Sequence, residues 1–160
     1  MKLPLLQSRR LAQKISQFVA GLSIATGLMS LSVPAQAAQK GVALPNGVYL
    51  YGQATQPDQL GQAYFVFEVR QGKLLGALYM PRSSFDCTYG AIQGDKLALT
   101  VIDSYNRSEN PYAIALDQTP VAGNGTVVNL EGFQKLPHVS NNDRRILEMC
   151  KTHYQNRVWK

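Results

Sequence analysis

The side chains able to do chemistry fall in few places. Cys87 and Cys150 are the only two cysteines among 160 residues. In an exported chain two thiols point to one disulfide, and the competing reading is a pair of buried free thiols. Two Cys and two scattered His, His138 and His153, lack the ligand spacing of a metal site, so none is assigned, and no cofactor is called for. Arg82, Ser83, Ser84 and Asp86 form one short polar stretch, and Tyr105, Asn106 and Arg107 form another. They offer guanidinium, hydroxyl, carboxylate and amide groups and are the candidate binding residues, although such residues also brace their own turns. Ser83 or Ser84 with Asp86 and His138 or His153 matches the composition of a hydrolase, but no G-x-S-x-G or S-x-x-K motif accompanies it. No catalytic residue is assigned.

These residues need a scaffold, and it is built around Tyr64 to Met80. Tyr64-Phe65-Val66-Phe67-Glu68-Val69-Arg70 and Lys73-Leu74-Leu75-Gly76-Ala77-Leu78-Tyr79 flank Gln71-Gly72, the pattern of a two-residue β-hairpin. Pairing Arg70 with Lys73 sets Phe65, Phe67 and Val69 opposite Leu78, Gly76 and Leu74. The other face pairs Tyr64 with Tyr79, Val66 with Ala77 and Glu68 with Leu75. The first face is wholly apolar and must be covered. The like charges of Arg70 and Lys73 in direct register are unfavourable.

Gly47 to Gly52 reads as a strand, and Gln53 to Ala63 as a polar loop. A fourth strand runs from about Asp86 to Ile92, and Lys96 to Asp103 is the fifth, with Leu97, Leu99 and Val101 on one face. A three-residue turn at Gln93-Gly94-Asp95 sets Cys87, Tyr89 and Ala91 opposite Val101, Leu99 and Leu97 and aims Cys87 at the core; a two-residue turn reverses this. Tyr112, Ile114 and Leu116 alternate in a sixth strand. A turn at Ala122 to Gly125 leads to a seventh, Thr126 to Leu130.

Ser140-Asn141-Asn142-Asp143 is a capping-box variant, and Ile146, Cys150, Tyr154 and Val158 then recur every four residues. The spacing predicts a helix over 141–158 that covers the open apolar face. The fold expected is mainly β, an antiparallel meander or small barrel-like sheet of six to seven strands with one C-terminal α-helix packed on it. The longer connections, 53–63, 81–86 and 103–110, fall at one end of such a meander and hold the candidate binding residues.

Residues 1–37 read as a signal peptide. Lys2, Arg9, Arg10 and Lys14 form a basic n-region, Ile15 to Leu31 a soft apolar stretch, and Ala35-Gln36-Ala37 a cleavage site. Ser8-Arg9-Arg10 and Lys14 match part of a twin-arginine signal. Residues 38–46 read as a flexible linker and 47–160 as one β-rich domain. Four of the 16 basic residues and none of the 10 acids lie before residue 38, which leaves a net charge of +2 on the remaining 123 residues. That near-balance gives no reason to expect a nucleic-acid partner, and a membrane enters only through the signal segment before cleavage.

Gly47-Val48-Tyr49-Leu50-Tyr51-Gly52, Tyr64 to Lys73, and Tyr79-Met80-Pro81-Arg82-Ser83-Ser84-Phe85-Asp86-Cys87 together resemble a set of small secreted proteins of cyanobacterial type. The resemblance spans about residues 47–116. It implies an extracytoplasmic bacterial setting, periplasmic or extracellular, and brings no catalytic residues with it. The functional expectation is a non-catalytic exported domain that binds a protein or cell-envelope component. The alternative is a barrel-like carrier of a small apolar ligand, and the third reading is the Ser/Asp/His hydrolase.

Overall fold

A computed structural model describes residues 43–121 and 125–160. The segment read as a signal peptide, the first part of the linker and most of the 122–125 turn lie outside the described residues. The described residues form eight antiparallel strands: β1 (Gly47–Gly52), β2 (Tyr64–Arg70), β3 (Lys73–Tyr79), β4 (Phe85–Gln93), β5 (Lys96–Ile102), β6 (Glu109–Val121), β7 (Gly125–Leu130) and β8 (Gln134–Lys135). One helix, α1 (Asn141–Val158), follows. The strand order is β7-β6-β5-β4-β3-β2-β1-β8, a meander whose last short strand returns to pair with the first. Tyr51 Oη of β1 donates to the Val128 carbonyl of β7 at 3.0 Å, and Leu130 bridges to Phe133. The sheet is thus nearly closed into a barrel. The one strand beyond the six to seven expected is β8, within Glu131 to Val139, and it is too short to show a period.

The β2–β3 hairpin has the register expected, from Arg70 opposite Lys73 to Tyr64 opposite Tyr79. Gln71 and Gly72 both have positive φ, as the favoured two-residue turn requires, and Asn46 Oδ1 accepts from the Gln71 N–H. Gly76 has no room for a side chain: a Cβ there would run into the Val66 carbonyl and Phe67 of the neighbouring strand. Two local contacts relieve the Arg70–Lys73 clash. Arg70 pairs with Glu68 at 2.6 Å and lies 4.2 Å over the Trp159 ring, whose N–H points to the Lys73 carbonyl.

Two expectations are corrected. The β4–β5 turn has two residues, Gly94 and Asp95, because Gln93 pairs with Lys96 and Cys87 with Ile102. The helix also covers the other face of the hairpin. Phe65, Phe67, Val69 and Leu74 turn inward with Tyr51, Leu97, Leu99, Ile114 and Leu116 to fill the barrel. Tyr64, Val66, Leu75, Ala77 and Tyr79 point outward and pack against Ile146, Leu147, Cys150 and Val158 of α1. Both faces of this hairpin are apolar, so covering either one satisfies the hydrophobic effect. Closure of the sheet takes the first face and leaves the second to the helix. Leu44 joins the interior cluster and the Pro45 carbonyl accepts from Tyr49 Oη, so the last part of the expected linker is anchored.

The helix begins as a capping box. Ser140 Oγ accepts from the Asp143 N–H, while Asp143 Oδ2 accepts from the Ser140 N–H at 2.8 Å. Asp143 is itself buried, and its second oxygen accepts from Tyr79 Oη of β3. Burial raises the Tyr79 phenol well above its ordinary range, and the bond to Asp143 adds to the effect. Further along, Lys151 bridges Glu68 at 3.1 Å and Glu148 at 2.6 Å. Partial burial works against the Glu68 charge, but hydrogen bonds from Arg70 and Lys151 outweigh it and hold the carboxyl below its usual value. The Cys87–Cys150 disulfide joins β4 to the middle of α1 with Cα atoms 5.5 Å apart.

Candidate functional site

The helix rests on the outer face of β2, β3 and β4, and its flank leaves a cleft beside the loops that follow β3 and β5. The cleft has a volume of about 520 Å³. That lies within the range of small-molecule sites, roughly 300–1,000 Å³. Three walls make it. The first is the β3–β4 turn, with Met80, Pro81, Arg82, Ser83 and Ser84 leading to Phe85. The second is the β5–β6 loop, which supplies Ser104 and Arg107. The third is the N-terminal part of α1, which supplies Arg145, Ile146, Met149 and His153. Cys87 lies at the base, so the disulfide holds two walls together.

Local sequence explains both loops. In Met80-Pro81-Arg82-Ser83 the Ser83 N–H donates to the Met80 carbonyl at 3.1 Å, and Arg82 has φ +66°. Pro at the second position and positive φ at the third define a type II turn, in which Gly is the ordinary third residue. The β5–β6 loop is organised by Asp103, whose Oδ1 accepts from the Tyr105 and Asn106 N–H groups at 2.8 and 2.9 Å. Its carbonyl accepts from the Arg107 N–H, and its own N–H donates to the Ser108 carbonyl. Arg107 carries the positive φ, +63°, that closes this loop. Among the described residues, two of the four non-glycine residues with positive φ are therefore arginines of one cleft. A left-handed conformation costs a residue with a Cβ roughly 1–2 kcal/mol, and such strain clusters at functional sites.

Of the residues singled out in the sequence, Arg82, Ser83, Ser84 and Arg107 line the cleft. Ser84 Oγ lies 3.3 Å from Tyr105 Oη, and this hydroxyl pair links the two loops at the rim. Asp86 sits behind the lining and accepts from the Ser104 N–H at 2.9 Å, which fixes the second loop to the start of β4. Asn106 is a turn residue: its Oδ1 accepts from the Ser108 N–H, and it does not line the cleft. Ser83, Ser84 and His153 line the cleft and Asp86 does not, and no hydrogen bond joins serine, aspartate and histidine among the described residues. His138 is exposed and lies off the cleft. Among the described residues no group of three or more His, Cys, Asp or Glu is placed to hold a metal ion.

The helical wall was missed from the sequence. Its signal was present: Asn142, Arg145, Met149 and His153 fall at i, i+3, i+7 and i+11, a second stripe beside the buried one. The cleft is electrostatically one-sided. It contains Arg82, Arg107 and Arg145 and no Asp or Glu. Among the described residues none of the three arginines forms an ion pair with a carboxylate. Arg145 spends its donors on Asn142 Oδ1 at 2.9 Å and Met149 Sδ at 3.6 Å. Asp86, Asp103 and Asp143 adjoin lining residues in sequence, but each is held in hydrogen bonds of its own, and Asp58 shares a small neighbouring hollow with Arg82. Ser104 Oγ is shut off from solvent and has no hydrogen-bond partner.

Comparison with protein-family models, curated proteins and solved structures finds no match to this chain.

Proposed function

We propose that this protein is an exported, non-catalytic β-domain that binds a protein or cell-envelope component through the cleft between α1 and the β3–β4 and β5–β6 loops. The observation that carries the reading is the cleft itself, lined by apolar side chains and by three arginines that, among the described residues, pair with no carboxylate. All three side chains are exposed to solvent, and like charges gathered at one site attract a ligand of the opposite sign. Residues built to brace a loop satisfy one another, as Asp103 and Asn106 do; Arg82 and Arg107 do not, and each occupies a strained position that glycine fills at lower cost. Export is supported by the basic n-region and the Ala35-Gln36-Ala37 site. The disulfide belongs to an oxidising compartment, and no helix among the described residues is long and apolar enough to cross a membrane.

The apolar-carrier reading places a ligand inside the barrel. Phe65 and Phe67 lie with ring centroids 4.4 Å apart, and Tyr51 stacks on Phe67 at 5.8 Å. These rings occupy the interior, which favours the cleft. Amide chemical-shift mapping against a ligand library and envelope fractions distinguishes the two. Binding that perturbs residues 80–87, 102–107 and 142–154 supports the cleft. Binding that moves Tyr51, Phe67, Leu97 and Ile114 instead overturns it in favour of the carrier. Export is tested by N-terminal sequencing of protein from the producing cell: a chain beginning at Ala38 is expected, and one that retains Met1 in the membrane refutes it.

A further inference from the structure

The composition of the cleft goes further than the existence of a site and narrows what enters it. The arginines come from three separate elements, Arg82 from the β3–β4 turn, Arg107 from the β5–β6 loop and Arg145 from the helix. Each reaches the same cavity, and no acid answers them within it. Guanidinium groups recognise planar or tetrahedral oxyanions through paired N–H donors.

The rest of the lining has another character. Met80, Phe85, Ile146 and Met149 present thioether, aromatic and aliphatic surface. Methionine is unbranched and polarizable and adapts to irregular apolar shapes, so two of them on facing walls suit a flexible chain better than a rigid ring. Met80 and Met149 are also among the exposed large apolar side chains. Cationic groups and adaptable apolar surface in one cleft are complementary to a molecule with the opposite charge at one end and none at the other.

We propose that the cleft binds a single-chain amphiphile with an oxyanion head, the head held by Arg82, Arg107 and Arg145 and the chain laid against Met80, Phe85, Ile146 and Met149. This rests on the reading of the cleft as the binding site. Carboxylate and phosphate heads share the chemistry, and the experiment separates them.

The test is isothermal titration of the disulfide-bonded protein with decanoate, decyl phosphate, decan-1-ol, acetate and inorganic phosphate, with amide shift mapping of each complex. Decanoate or decyl phosphate is expected to bind at the cleft, and the tighter of the two identifies the head. Arg145→Gln, Arg82→Gly and Arg107→Gly are each expected to weaken that binding about tenfold or more, the scale of one lost charge-assisted hydrogen bond. The glycine variants keep the left-handed turns. Arg144→Gln, on the exposed helix surface outside the cleft, is expected to change affinity by no more than about twofold. Equal affinity for decan-1-ol, or binding indifferent to all three arginine variants, overturns the oxyanion head. Equal affinity for acetate or inorganic phosphate overturns the chain. If none of the five binds while other compounds still shift the cleft resonances, the amphiphile is wrong and the site stands. If nothing shifts them, both readings fall.

Discussion

Replacing both cysteines tests how the helix is held. Cys87→Ala with Cys150→Ala removes the bond and leaves no thiol to repair it. The two residues are 63 apart in sequence. For a closed loop of that length, the lost chain entropy of the unfolded state amounts to about 4 kcal/mol, an upper value because engineered and native bonds often deliver less. Cys150 is fully buried between the helix and the sheet, so truncation to Ala adds a smaller packing loss at that position. Against this, the helix keeps its apolar stripe, the Tyr79–Asp143 bond and the Lys151–Glu68 pair. The expected result is a folded protein less stable by about 2–4 kcal/mol in urea denaturation, with the slope largely unchanged. Hydrogen exchange adds the location. Amides of α1 from Ile146 to Val158 are expected to lose protection well before those of β2 and β3, because the helix buries apolar surface only when docked. A loss below about 1 kcal/mol, with helix protection equal to that of the sheet, refutes the reasoning and shows that packing alone suffices. The same variant is expected to weaken cleft binding, since Cys87 lies at the base and Cys150 anchors the helical wall.

Tyr79→Phe deletes one hydroxyl from a buried carboxylate and is expected to cost about 1–3 kcal/mol in denaturant unfolding, whereas Tyr105→Phe, at a side chain 85% exposed, is expected to change stability by less than about 0.5 kcal/mol. Alkaline titration should show the same burial. Tyr51 is pushed up to about 12 by burial and by Tyr49, and Tyr79 is raised further. Folding therefore favours their neutral forms; that stabilisation is complete below the ordinary tyrosine value near 10 and is lost as pH rises through the folded values. Tyrosinate absorbance is expected to rise in two steps, the later one coinciding with unfolding, and Tyr79→Phe should shrink the later step. Arg82→Gly and Arg107→Gly relieve left-handed backbone at the expense of unfolded-state entropy, and each is expected to leave thermal stability unchanged or raised by up to about 1 kcal/mol; a loss above about 1 kcal/mol would mean that these side chains brace the fold.

Much of this protein is written in local sequence. The hairpin pattern gave the β2–β3 register residue by residue, because a two-residue Gly turn leaves one alignment of the flanking strands. Ser140 and Asp143 marked the helix start, and the four-residue spacing of Ile146, Cys150, Tyr154 and Val158 marked its extent and inner face. The disulfide was legible for a less direct reason. The β4–β5 turn is one residue shorter than expected, and the helix lies on the opposite face of the sheet. Each difference by itself separates the cysteines; together they bring Cys87 back beneath Cys150. Tertiary structure decided the rest. Periodicity cannot choose between the two apolar faces of the central hairpin; only closure of the barrel does, because it buries Phe65 and Phe67 inside and presents Tyr64, Val66 and Ala77 to the helix. The cleft follows from that choice. Arg82 and Arg107 were visible as loop residues, but Arg145 and Met149 become their neighbours only once the helix docks on the outer face, where pairing across more than forty residues brings three separate arginines to one cavity.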